Sequence, residues 1–149
     1  PKCDSITLTT GEVIKRHPDT VIIITTNNNY AGCRDMNQSV ISRMNLIFDM
    51  DEPDLNTLAE RVMKVTGCTD NTAVMEMAAA TKDISEHCRE TLINDGSCGV
   101  RELISWVQSY MLTGNILESA QFTILSSVSG DPDNRADVLT TCLEQKFAA

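Results

Sequence analysis

The sequence predicts a partial α/β layer followed by an all-helical bundle, mostly helical overall, and three observations lead there. Up to about residue 52 the apolar residues fall into short β-type runs, whereas after Pro53 they recur throughout at helical spacing. The composition is 42% apolar but only 4% aromatic, with seven methionines, so the core must rest on Ile, Leu, Val, Ala and Met, as helical cores commonly do. The expected division is 1–52 for the α/β piece and 53–149 for the helical part, including its C-terminal helices.

In chain order, "ITLTTGEVIKRH" alternates around Thr10-Gly11 as a hairpin does. "TVIIITT" reads as a buried strand of parallel type and "NLIFDM" as another, with a short helix between them in "DMNQSVISRM". Pro53 suits a first helical turn, Leu55, Leu58, Val62 and Val65 make one face, and Gly67 stops the helix. Asp70 caps the next helix, whose face runs through Val74, Met77, Ala78, Thr81, Ile84, Cys88 and Leu92 before "NDGSCG" breaks it. A third helix has Ser97 as its cap, Val100, Leu103, Ile104, Val107, Tyr110 and Met111 on its face, and Gly114 at its end. "ILESAQFTILSSV" and, after Asp131-Pro132, "ADVLTTCLEQKF" supply a fourth and a fifth.

The net charge of −9 is uneven: residues 1–52 carry 5 basic and 7 acidic groups (−2), and residues 53–149 carry 7 and 14 (−7). Such a surface repels nucleic acid and anionic membranes, so neither is expected as a direct partner. The six cysteines form no C-x-x-C pair, and two histidines are few for a metal site, so reduced thiols in a cytoplasmic protein are expected. No apolar run approaches the ~20 residues of a membrane span. The chain begins with Pro1 rather than Met, and so few strands cannot cover both faces of a sheet. A fragment or a processed product is therefore expected.

Three asparagines, Asn27, Asn28 and Asn29, follow the apolar run Val21–Ile24. Asparagine tolerates left-handed backbone, so all three can be turn residues. Strand ends in open α/β sheets are also where ligands sit, and an amide there can hold a water or a phosphate oxygen without adding charge. Local sequence leaves both roles open.

The order of features is more specific. A hairpin, a strand ending in "TTN", a short helix ending in "SR", another strand, and a helical region in which "GVREL" opens a helix together resemble the second half of an AAA+ ATPase module. Within it, "TLTTGEVIKRHPDTVIIITTNNNYAGCRDMNQSVISRMNLIFDMDEPD" is similar to the MoxR-like and dynein-related branch. The resemblance covers roughly residues 6–115 and is strongest in 6–54. It implies an AAA+ core remnant in 1–52 and a helical lid in 53–149. It also implies sensor 1 at Asn27, orienting the hydrolytic water, an arginine finger at Arg43, offered to a neighbouring subunit's nucleotide, and sensor 2 at Arg101, reaching the phosphates from the lid. The residue types suit the chemistry, because phosphoryl transfer is catalysed by positioning and by neutralising oxygen charge, and in related enzymes a finger arginine contributes about 10³–10⁵ in rate. Without that resemblance, Arg43 is an exposed residue or a partner for Asp49 or Asp51, and Arg101 pairs within the acidic helical surface. Arg34 stands out in no way from an ordinary loop cation.

A P-loop needs G-x-x-x-x-G-K-[ST], and Gly-Lys does not occur in this chain. "LIFDMDE" imitates the Asp-Glu end of a magnesium-binding strand but lies on the wrong side of the sensor strand. Asp51 and Glu52 are read instead as acids favoured at a helix start. The expectation is thus a C-terminal part of an ATPase whose parent binds ATP and Mg²⁺, forms a ring of six and remodels a protein partner, while this chain alone holds nucleotide weakly and no metal. The competing expectation is a non-enzymatic, acidic helical interaction module. A nucleotide-independent DNA-binding bundle is opposed by charge.

Overall fold

The computed structural model describes residues 4–26 and 37–147, and the chain divides into two units, Pro1–Asn45 and Leu46–Ala149. Helix takes up 58% of it, beside one small sheet, so the expectation of a mostly helical chain holds.

In the first unit the expected hairpin forms. Strands β1 (Ser5–Thr7) and β2 (Val13–Lys15) pair antiparallel with Ile6 opposite Ile14. Gly11 supplies the positive φ of 86° that the turn between them requires, and its N–H donates to the Leu8 carbonyl at 2.9 Å. Helix α1 (Gln38–Ile41) is the short helix expected between the two runs; Asn37 caps it by accepting from the Ser39 N–H at 2.9 Å.

The expected partial parallel sheet is not found among the described residues, where the only sheet is the antiparallel hairpin. Residues 20–26 and 46–50 carry no regular secondary structure, and Val21, Ile22, Ile23, Ile24, Leu46, Ile47, Phe48 and Met50 are all exposed. The physical reason lies in what such strands require. A run that is apolar on both faces is stable only between neighbouring strands and beneath covering helices, and local β-propensity alone cannot replace them.

The second unit has its own core, built on helices α2 (Leu55–Thr66), α3 (Asn71–Glu90), α4 (Val100–Thr113), α5 (Ile116–Phe122), α6 (Ile124–Val128) and α7 (Pro132–Val138). The chain then continues through a π-helical turn (Leu139–Glu144) into α8 (Gln145–Phe147). Caps set most of the ends as read, and the differences are local. Asp54 rather than Pro53 starts α2, accepting from the Thr57 N–H at 3.0 Å, and Pro53 stands one residue outside. Asp70 caps α3 through the Ala73 N–H, and Gly67 and Gly114 end α2 and α4 with left-handed backbone. The fourth expected helix is two, because the backbone breaks at Thr123.

The apolar faces converge as their spacing requires. Leu58, Val62, Val74, Met77, Ile84, Leu103, Val107, Ile124, Val138 and Leu143 are buried in one cluster with Trp106, which is fully enclosed. Burying each such aliphatic side chain contributes about 1.5–3 kcal/mol. The Trp106 indole N–H donates to the Ile116 carbonyl at 3.0 Å and the Ser119 hydroxyl at 3.1 Å, so its one polar atom is satisfied inside the core. Three residues placed on the faces by spacing, Val65, Leu92 and Met111, are exposed instead. Each lies in or beyond the last turn of its helix, where the neighbouring helix no longer covers it. No described helix is long and apolar enough to cross a membrane.

Candidate functional site around Arg101

The best-defined functional candidate in the second unit is the start of α4. The segment between α3 and α4 is fastened to the end of α6 at three consecutive residues. The Asp95 carboxylate accepts from the Gly130 N–H at 2.7 Å and from the Ser129 hydroxyl at 2.9 Å, bonds that hold it below the usual carboxylate range. Gly96 passes so close to α6 that a Cβ would lie 2.3 Å from the Ser127 and Val128 carbonyl oxygens, so only glycine fits. The Ser97 N–H then donates to the Ser127 carbonyl at 2.8 Å. Gly96 therefore serves the close approach of one backbone to another within the bundle.

Helix α4 begins at Gly99, not at Ser97. Glu102, three residues on, folds back so that one carboxylate oxygen accepts from the Gly99 N–H and the other from the Ser97 hydroxyl, each at 2.8 Å. This is the backward half of a capping box, and the G-x-x-E spacing was its signal. It also places a carboxylate at the positive end of the helix dipole, where negative charge is favoured. Arg101, in the first turn, is exposed and its guanidinium makes no ion pair among the described residues. The pairing with acidic neighbours considered from the sequence is thus absent.

The other sequence-predicted residues are described each in its own place. Arg43 follows α1 in the first unit, exposed, with its guanidinium donating to the Ser39 carbonyl one turn back. Asn27 lies outside the described residues, as do Asn28, Asn29 and Arg34. Asp51 and Glu52 are exposed, in a stretch without regular structure just before α2. A nucleotide would find a partial fit: one free guanidinium at Arg101 can meet an anionic oxygen, but no phosphate-wrapping loop is present in the sequence. Among the described residues no group of three or more His, Cys, Asp or Glu is arranged to hold a metal ion.

A second feature had no counterpart in the sequence reading. A cleft of about 270 Å³ lies between α3 and the π-helical turn with the residues that follow it, lined by Asp83, His87, Glu90, Thr141, Cys142 and Lys146 among others. Two contacts distant in sequence involve its lining residues: His87 Nε2 lies 2.7 Å from Asp137 Oδ2, and the Lys146 ammonium pairs with Asp83. Cys142 is a poor nucleophile there, because burial above all pushes its thiol up to about 11. Burial likewise raises Cys88 and Cys98, the latter donating to the Thr81 carbonyl at 3.4 Å. Nothing local marks these contacts, since the partners are 50 and 63 residues apart. Compared with protein-family models, with curated proteins and with solved structures, the chain finds no match in any of the three.

Proposed function

We propose that the chain is the C-terminal part of an AAA+ ATPase module of MoxR-like type, in which nucleotide state in a ring of subunits is coupled to the remodelling of a protein partner. The observation that carries this reading is Arg101. A cation in the first turn of a helix is opposed by the dipole, its own bundle gives it no carboxylate partner among the described residues, and the loop before it is fixed to α6 by Asp95, Gly96 and Ser97. An exposed, unpaired guanidinium on a rigid mount suits a phosphate oxygen delivered from outside the bundle. The order of motifs from the hairpin to "GVREL" adds to it. In this reading Arg101 is sensor 2, Arg43 the finger acting across a subunit boundary, Asn27 sensor 1, and ATP with Mg²⁺ binds to the remainder of the module.

The test is made in the longer protein this reading requires. Arg43→Ala should leave nucleotide binding near normal while hydrolysis falls steeply, because a finger guanidinium acts mainly on charge that develops in the transition state. Mixing that variant with subunits lacking the P-loop lysine should restore some turnover at interfaces that unite an intact finger with an intact cradle. A lowered melting temperature with unaltered turnover would make Arg43 a structural residue. The encoding frame is the quickest discriminator: a P-loop upstream of Pro1 is expected, whereas an initiator Met immediately before it favours the alternative, an acidic helical interaction module. That alternative draws on one observation, the separate core of the second unit in a region of net charge −7 over residues 53–149.

A further inference from the structure

We propose that residues 145–147 form a releasable strap, which closes over a groove on α3 and over the edge of Trp106 and opens while the helical core stays folded. The inference rests on no nucleotide chemistry and goes beyond the ATPase reading. Two clefts define the groove. The one of about 270 Å³ is lined on its α3 side by Asp83, Glu86, His87 and Glu90, and a second of about 250 Å³ by Glu76 and Ala79. These six positions recur at helical spacing along one side of α3. Lys146 lines both clefts, so the turn that carries it crosses the stripe between them.

The strap lies beyond the residues that fix its helix in the core. Val138, Cys142 and Leu143 are buried, whereas Glu144 and Gln145 are exposed. It follows a π-helical turn, an irregularity that helices carry mostly at functional sites. Two side-chain contacts then hold it down: the Lys146 ammonium pairs with Asp83, and the Phe147 ring meets Trp106 edge-on, with 6.3 Å between centroids. The ion pair is open to water, Lys146 being 40% and Asp83 54% exposed, so it favours closure by about fivefold at most. The aromatic contact adds about two- to twelvefold beyond its burial. A single helical turn has no stability of its own, so closure depends on these contacts and is reversible. Trp106 does not need the strap for its polar atom, because the indole N–H is bonded to Ile116 and Ser119 of α5. Release therefore bares an apolar ring edge, merges the two clefts and withdraws the lysine that lines both, while the indole N–H stays paired.

The chain has one tryptophan, so the fluorescence of Trp106 reports the strap directly. The experiment is acrylamide quenching of that fluorescence in the full chain at low and high salt, with helix melting followed by far-ultraviolet circular dichroism. Quenching should be weak at low salt and should rise with salt, which screens the exposed ion pair. Lys146→Glu, which sets a carboxylate against Asp83, should raise the quenching constant about twofold or more and abolish that rise. Asp83→Lys combined with Lys146→Glu should return the constant toward its original value, as a restored pair of opposite charges requires. Phe147→Ala should raise it at both salt concentrations, since the covering ring is lost. Lys146→Glu should leave the melting temperature of the helices unaltered, because Lys146 belongs to no buried cluster. Quenching indifferent to salt in the unaltered chain, quenching that neither single variant raises, a Lys146→Glu effect that Asp83→Lys does not reverse, or a matching fall in helix melting temperature would each overturn the proposal.

Discussion

Two residues beside the α3–α4 loop carry backbone constraints of opposite kinds. Gly96 has no room for a side chain, and the obstructing atoms are backbone carbonyls of α6 that cannot rotate away. Gly96→Ala should therefore destabilise the helical unit by about 1–3 kcal/mol, read from urea denaturation, as overpacking typically does. Leu92 is the reverse: it is the only described non-glycine residue with positive φ, at 59°, and its side chain is 79% exposed, so little burial offsets the strain. Leu92→Gly should raise stability by up to about 1 kcal/mol in the same measurement, since glycine removes the left-handed penalty while losing more chain entropy. Arg101→Ala should leave the melting temperature unchanged or slightly higher, because the cation opposes the dipole by about 0.3–1 kcal/mol and no ion pair among the described residues offsets it. A large loss of stability would reveal a structural role and remove the observation on which the nucleotide reading stands.

At the scale of elements, three aspartates fix where helices begin or loops attach. Asp54 caps α2, mainly through the Thr57 N–H. Asp70 caps α3, mainly through the Ala73 N–H, with the Tyr110 hydroxyl of α4 added at 2.9 Å. Asp95 ties the α3–α4 loop to Gly130. All three are held below the usual carboxylate value because these bonds favour the charged form. A depressed folded value means that the unfolded chain takes up protons first as pH falls. The stabilisation is present in full above the ordinary carboxylate range and is lost as pH drops through and below it. Thermal melts from neutral to acid pH should thus be flat and then descend, and Asp95→Asn should lower stability at neutral pH while making the descent shallower. An unchanged pH profile in that variant would show that the Asp95 bonds contribute nothing in solution.

For the whole molecule, the helical unit and the apolar run 20–26 answer different questions. The helices share one buried core within residues 46–149. The run 20–26 and the stretch 46–50 present apolar side chains to solvent, and both await neighbours that pair or cover them. The chain as given should show no magnesium-dependent ATP turnover above a heat-killed control in a phosphate-release assay, because its sequence holds no P-loop. Measurable turnover would return Asp51 and Glu52 to consideration as a magnesium pair.

The sequence by itself determined the features that depend on near neighbours along the chain. The Thr10-Gly11 turn, the caps at Asp70 and Asp131, the stops at Gly67 and Gly114, and most of the buried faces of α2, α3 and α4 were legible, because capping and helical periodicity act within a few residues. The exposed position of Arg101 followed from the same periodicity. Only the tertiary structure decided what depends on distant partners. It left the apolar runs around residues 22 and 47 outside any sheet, since a strand exists only with its neighbours. It enclosed Trp106 in the core, bonded to Ile116 and Ser119 of the next helix. It also required Gly96, joined Asp95 to Gly130 and His87 to Asp137, and enclosed the thiols of Cys88 and Cys142. The contacts of Asp95, Gly96 and His87 each join residues more than thirty positions apart, and those of Trp106 cross from one helix to the next; local patterning carries no information about which of these surfaces will meet.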